Sequence, residues 1–289
     1  LSMLSRRLLA QSRAATVQVL ATRFSSNEVI VDRLSGKDEG IVVFRLNRPS
    51  MKNALGKNLM KRLHEEADKI AHDDSARVLI LKSDVPGAFC SGADLKERRE
   101  MPHAEVGPFV KGLRGFADKL AAMPMPTIAA INGHALGGGL EFALGCDMRF
   151  ANADAKMGLV ETRHALLPGA GGAKRLPRLI GASLAKELIL TGRIFDGVEA
   201  ARLGVVNAAV SGGDGAAYER SLEVAREILP RGPVAVRLAK VVIDTAVAFD
   251  DVTANKMEEQ CYARIIATKD RLEGLEAFRE KRAPVYKGE

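Results

Sequence analysis

Two glutamates stand out because each lies in apolar sequence beside a run of glycines. Glu141 follows Gly137-Gly138-Gly139 in INGHALGGGLEFALGCD, residues 131–147. Glu161 precedes Gly169-Ala170-Gly171-Gly172 in MGLVETRHALLPGAGGAKRL, residues 157–176. A carboxylate in such surroundings must be solvated, paired or functional. Consecutive glycines allow close backbone approach. At a helix start they also leave N–H groups pointing outward, where the dipole favours an anion. Taken alone, Glu141 reads as a charge that complements a helix N-terminus. Taken together, the two suggest a carboxylate pair built around a water and an oxyanion.

A third segment, AFCSGADLKE at 88–97, places a tight turn at Gly92 after a strand. That turn leaves the N–H of Ala93 free. Cys90 has no evident histidine partner and reads as a buried structural cysteine. Ser91 lacks the GxSxG frame of a nucleophile elbow. GAGGAK lacks the Lys-Ser/Thr of a phosphate-binding loop, and GxGxxG spacing is missing too. His103, His134 and His164 lack metal-ligand spacing, so no metal is expected. His134 and His164 read as packing beside the motifs.

The elements that must position these residues follow from periodicity. IVVFRLN at 41–47 alternates and is β-branched, which predicts a strand. Residues 56–71 predict a helix with Leu59, Leu63, Ala67 and Ile70 on one face. Short apolar runs at 77–82 and 127–131 predict strands buried on both faces. A helix is expected over 104–122, another opening at the glycine triplet, and a strand over 147–151. Glu161 is expected in a strand-like stretch. This strand–helix–strand order indicates an α/β fold. Past residue 215 only helices are predicted, near 216–229, 233–247, 252–266 and 268–279. The domain reading is therefore 1–26 as a leader, 27–215 as the core and 216–289 as a C-terminal helical region.

Composition narrows the function classes. The chain has 289 residues, 47% hydrophobic and 27% charged, so disorder as the main state is excluded. No uncharged apolar run of 18 residues occurs, so no membrane span is expected. The three cysteines are far apart, without ligand spacing, which fits a reducing compartment. Residues 1–26 carry Arg6, Arg7, Arg13 and Arg23 and no acid. Without those four arginines the formal charge of +7 falls to +3. An Arg-rich, acid-free, Ser/Thr-containing leader has the composition of a mitochondrial transit peptide, with processing expected near residues 20–30.

The three ordered motifs resemble those of the enoyl-CoA hydratase/isomerase, or crotonase, superfamily. The similarity runs from about Ile41 to the C-terminus. ADLKER, EVGPFV, SLAKELI and TKDRLEG place the chain nearest the methylglutaconyl-CoA hydratase branch and its mitochondrial hydratase-domain relatives. The resemblance implies a crotonase-type spiral of ββα units with a C-terminal helical region that trimerises, often as a dimer of trimers. It implies an acyl-CoA thioester substrate, with CoA part of that substrate and no separate cofactor. It maps the oxyanion donors to Ala93 and Gly138, the acid/base pair to Glu141 and Glu161, and a water-positioning role to Gly169. Glu141 is assigned mainly to activating water and Glu161 mainly to protonating the α-carbon. CoA contacts are expected from Lys52, Ser91, Asp94, Leu95 and Lys96, with Phe278 and Lys281 reaching over from a neighbouring subunit. The implied reaction is reversible addition of water to an enoyl-CoA in the mitochondrial matrix. The substrate is 3-methylglutaconyl-CoA of leucine breakdown or a short-chain enoyl-CoA. Retention of both carboxylates favours hydration, and double-bond isomerisation shares the same chemistry. Arg98, Arg99 and Arg163 are candidates to meet a distal carboxylate on the acyl group.

An RNA-binding protein is the alternative class. Lys57, Lys61, Arg62 and Lys69 lie on one predicted helix. Glu65, Glu66 and Asp68 interrupt the stripe, so a solvated, charge-balanced face is expected. Absent Trp and only three Tyr weaken any base-stacking reading. A catalytically silent subunit is the third class, and two intact glutamates argue against it.

Overall fold

The computed structural model describes residues 28–289. The expected leader lies outside the described residues. β1 (Val29–Arg33) pairs antiparallel with β2 (Ile41–Leu46), and the chain then runs through α1 (Lys57–Ala71) to β3 (Val78–Ser83) and β4 (Ala88–Cys90). α2 (Leu95–Glu100) and α3 (His103–Ala121) lead to β5 (Thr127–Ile131) and β6 (His134–Leu136). α4 (Gly138–Gly145), β7 (Met148–Asn152) and β8 (Met157–Gly158) follow. α5 (Gly172–Ile180), α6 (Ala182–Leu190) and α7 (Gly197–Leu203) precede β9 (Ala208–Val210). The chain ends in α8 (Ala216–Ile228), α9 (Pro233–Ala248), α10 (Asp251–Ile266) and α11 (Lys269–Glu280).

The strands form two sheets. A six-stranded sheet has the order β1-β2-β3-β5-β7-β9 and is parallel after its first pair. A small parallel sheet has the order β4-β6-β8. Each of β3–β4, β5–β6 and β7–β8 sends one strand to the large sheet and the next to the small one. Repetition of that step is the spiral the motifs implied. Strand alternation assigns the two faces. Val42, Phe44 and Leu46 point into the main core with Leu59, Phe116 and Phe142, while Ile41 and Val43 face a second core with Leu222 and Ala225 of α8.

That second core corrects the expected division at residue 215. α8 seals one face of the large sheet and belongs to the body. The helices that stand away from the sheet begin with α9, which packs chiefly on α10. A second correction concerns Glu161. It opens a single 3₁₀ turn, Glu161–His164, directly after β8. β6, with three residues, is too short to show a period and escaped the sequence reading, whereas β4 falls where a strand was expected before Gly92. β1 and β9 also went unread.

One buried polar residue ties the first motif to the sheet. Asn53 is fully buried, with φ +56. Asparagine tolerates that left-handed backbone. Its Nδ2 donates to Ser83 Oγ at 2.7 Å and to the Phe89 carbonyl at 2.9 Å, and its Oδ1 accepts from Arg48 N at 2.7 Å. Arg48 in turn pairs with Glu28 and Asp94. Asn53→Ala is predicted to lower unfolding stability by about 2–4 kcal/mol, because several buried groups lose their partner at once. Denaturant titration checks this, and a midpoint equal to wild type would contradict it.

Candidate active site

Apart from Glu141, α4 is apolar, and it is wholly buried, so its N-terminus is fixed by packing rather than by a capping side chain. Gly139 meets the backbone of β4 directly: a Cβ there would collide with the Cys90 carbonyl. This close approach sets Gly138 beside the turn after β4. A Cβ built on Gly138 would lie 3.9 Å from Ala93 N, and one on Gly92 would lie 3.5 Å from Gly138 N. The turn is held by Leu55, whose N–H donates to the Gly92 carbonyl at 2.8 Å and whose carbonyl accepts from Asp94 N at 3.2 Å. Neither Ala93 N nor Gly138 N has an acceptor among the described residues. Gly138 is the first residue of its helix, where N–H groups lack intrahelical partners. Two free amides therefore stand side by side at a helix N-terminus, an arrangement suited to a developing oxyanion.

Glu141 lies in the first turn of α4 and is 2% exposed. Its Oε1 accepts two backbone bonds from the glycine-rich loop, from Ala170 N at 2.8 Å and Gly172 N at 2.7 Å. Burial raises its pKa, and the two amides, then Arg175 and Arg114, work against that rise. Glu161 lies next to the glycine triplet: a Cβ on Gly137 would be 3.1 Å from Glu161 Oε1. Its Oε2 is buried with no hydrogen-bond partner among the described residues. Burial first, and the nearby charge of Glu141 second, push the Glu161 carboxyl up to about 7. The structure thus brings Ala93, Gly138, Glu141 and Glu161 to one end of α4.

The remaining sequence-based candidates divide. Gly169 is half-buried under α3: its carbonyl accepts from Arg114 Nε at 3.0 Å, and a Cβ there would press on Val110 Cγ1 at 2.7 Å. Ser91 donates weakly to the Met51 carbonyl at 3.3 Å, and its N–H donates to the Lys52 carbonyl. Lys52, Leu95 and Lys96 are exposed around that turn. The Asp94 carboxylate is committed to the fold. It is 4% exposed, caps α2 through Glu97 N and pairs with Arg48 at 3.0 Å, so its side chain offers nothing outward. Phe278 is 87% exposed and Lys281 ends α11. Arg98 stacks over Phe109 at 5.7 Å, and Arg99 pairs loosely with Glu100. His103, His134 and His164 are all exposed, which corrects the expectation of packing for the last two. Cys90 is buried, and burial pushes its thiol up to about 12, so it is an inert core residue.

Sequence reasoning missed what the second glycine run does. Its amides hold the Glu141 carboxylate itself. The signal was present in GAGG as a row of free N–H groups, but nothing in the chain named their acceptor. It also missed the two arginines around that loop, Arg114 and Arg175.

Comparison with known proteins adds a family to this fold. The enoyl-CoA hydratase/isomerase family matches residues 36–289. The chain is 53% identical over 268 residues to the mitochondrial methylglutaconyl-CoA hydratase of Mus musculus, covering 92% of this chain and 85% of that one. It is 53% identical over 264 residues to the human mitochondrial enoyl-CoA hydratase domain-containing protein 2, covering 91% and 90%. The crystal structure of an enoyl-CoA hydratase from Bacillus anthracis superposes with a TM-score of 0.86 at 44% identity, covering 91% of this chain and all of that one. The family match over most of the chain, these identities and the shared fold lead to one conclusion: the chain belongs to the enoyl-CoA hydratase/isomerase family.

Proposed function

We propose that the protein is a mitochondrial enoyl-CoA hydratase that adds water reversibly across the α,β double bond of an acyl-CoA thioester. One observation carries the reading: two differently held carboxylates converge beside two unpaired backbone amides. Hydration places negative charge on the thioester oxygen. Ala93 N and Gly138 N are preorganised to accept that charge, and each such donor is typically worth ~10²–10³ in rate. Water needs a base and the α-carbon needs a proton.

The environments divide these tasks. Glu141 is held by two amides and lies near two arginines, all of which favour its charged form. It is assigned to activating water. Glu161 has a buried oxygen without a partner and faces the charge of Glu141, so it holds its proton to about pH 7. It is assigned to protonating the α-carbon. Gly169, at the mouth of the loop, would help hold the water between them. The same pair can shift a double bond, so isomerisation is a side reaction of this site rather than a separate function.

The RNA reading loses its footing. On α1, Lys61 and Arg62 face Glu65 and Glu66, Lys69 pairs with Glu66 at 2.8 Å, and Lys57 pairs with Glu105 of α3. The basic stripe is balanced within its own surface. Among the described residues no helix is long and apolar enough to cross a membrane.

The acyl group and the assembly are the finer parts of this proposal. Relatives named for methylglutaconyl-CoA support that substrate, and the hydratase-domain relatives support other enoyl-CoA thioesters alongside it. The relatives' mitochondrial names agree with the Arg-rich leader. The C-terminal helices leave Ile243, Val247, Phe249, Tyr262, Ile266, Leu272 and Phe278 exposed. Apolar surface on this scale marks an interface, and a trimer or hexamer would cover it. Phe278 and Lys281 would then approach CoA held by a neighbouring subunit.

Three outcomes are expected. Glu141→Gln and Glu161→Gln each lower the hydration kcat by about 10²-fold or more, measured by loss of enoyl absorbance on crotonyl-, tiglyl- and 3-methylglutaconyl-CoA. A near-wild-type rate in either variant would overturn the mechanism. The wild-type rate falls as pH rises through about 7, because the raised Glu161 carboxyl then loses the proton it must donate. A profile flat from about pH 6 to 9 contradicts that assignment. Light scattering gives the mass of a trimer or hexamer, whereas a stable monomer at micromolar concentration would refute the proposed assembly.

A further inference from the structure

The loop that holds Glu141 is itself held from outside. Ala170 gives its N–H to Glu141, and its carbonyl accepts from Arg175 Nη1 at 3.2 Å. Arg175 Nη2 continues to Asp118 Oδ1 on α3 at 2.6 Å. The Arg175 side chain is only 12% exposed, so this guanidinium is fixed between a helix and a peptide plane. Gly171 makes room for it, since a Cβ there would collide with Arg175 Nη1. Arg114 supports the same loop one residue earlier, through the Gly169 carbonyl at 3.0 Å.

We propose that Arg175, anchored on Asp118, is a positioning residue for hydration: it fixes the Ala170–Gly171 peptide between the two amides that bind Glu141 and, through them, the Glu141 carboxylate. The inference rests on the two-glutamate reading above. A guanidinium fork suits this task because it can engage a carboxylate and a carbonyl at once in fixed directions. Its charge also favours the ionised form of Glu141, ahead of Arg114. The charged groups facing Glu141 come from three elements. They are Glu161 after β8, Arg114 on α3 and Arg175 on α5, while Lys174 of α5 joins the Arg175 anchor by pairing with Asp118 at 2.8 Å. Arg114 holds the Gly169–Ala170 peptide, whose N–H binds Glu141, whereas Arg175 holds the next peptide, lying between the two amides that bind Glu141, and ties it back to α3.

The sign of the effect follows. Removing the Arg175 charge makes Glu141 bind its proton more readily, so its carboxylate is lost at a higher pH. The acid limb of the kcat profile therefore moves upward in pH in Arg175→Gln. Misplacing the base also lowers kcat, by ~10- to 100-fold, while KM for the thioester changes little. Arg175→Lys keeps the charge but not the fork. It is expected to leave the limb near its wild-type position while recovering only part of kcat. Asp118→Asn frees the anchor and gives a smaller fall in kcat.

The test is a double-mutant cycle on the assembled enzyme, with pH profiles for every variant. If Arg175 acts through Glu141, adding Arg175→Gln to Glu141→Gln costs little beyond Glu141→Gln alone. A full, additive loss on an already impaired Glu141→Gln enzyme would overturn the role of Arg175 and leave the two-glutamate reading standing. A near-wild-type Glu141→Gln enzyme would overturn both. An unshifted acid limb, with kcat and Tm falling together, would show a merely structural residue and also overturn the proposal. Should Arg175→Gln fail to fold, Arg175→Lys and Asp118→Asn carry the same comparison. Loss of kcat without coupling to Glu141 in either one is again the contrary result.

Discussion

The backbone of β4 and the first turn of α4 touch without a side chain between them, and the site is built outward from that contact. Gly139 faces the Cys90 carbonyl at a separation that excludes any Cβ. Because the helix comes so close, Gly138 N reaches the turn that carries Ala93 N, and two amides from distant parts of the chain share one small volume. The other side of the contact is fixed by buried polar bonds. Cys90 Sγ lies 3.1 Å from the Asn53 carbonyl, and Asn53 itself spans to β3 and β4. A preorganised donor pair needs no reorganisation when charge develops on it, so a rigid backbone contact suits the proposed reaction.

The same contact places Glu141 inside the protein, where an unpaired carboxylate would be costly. Two amides of the second glycine run offset part of that burial, which still leaves the Glu141 pKa raised, and Arg175 braces their loop. Glu161 receives no such support for its Oε2 and shares the field of its neighbour. Two residues of one type therefore differ in proton affinity through their surroundings alone. Environments that push two carboxyl groups apart are the usual basis of an acid and base assignment. Because the carboxylates interact, their titration belongs to the pair rather than to either residue.

Much of this was legible in the chain. The alternation of residues 41–47 and the apolar runs near 80 and 129 marked three of the strands of the large sheet, and the long helices came out within a residue or two. The glycine runs marked both glutamates because carboxylates in apolar, glycine-flanked sequence demand an account. What stayed hidden depends on contacts between segments far apart. β6 and β8 are recognisable only through their partners. Asp94 reads as an outward polar residue until Arg48 is seen against it. The acceptor of the Ala170 and Gly172 amides lies about thirty residues away, on another helix. The placement of α8 in the body rather than the appendage follows from Leu222 and Ala225 meeting the sheet, which an amphipathic pattern alone does not announce.

The central claim is spatial: one thioester oxygen must be able to meet both amides while its alkene carbons meet both carboxylates. A crystal structure of the protein with a bound, saturated acyl-CoA tests this most directly. The account predicts the thioester oxygen at ~2.7–3.1 Å from both Ala93 N and Gly138 N, as an oxyanion site requires. It also predicts the α- and β-carbons of the acyl chain facing Glu161 and Glu141 respectively. A thioester oxygen bound to neither amide, or an acyl chain directed away from the two glutamates, would contradict it.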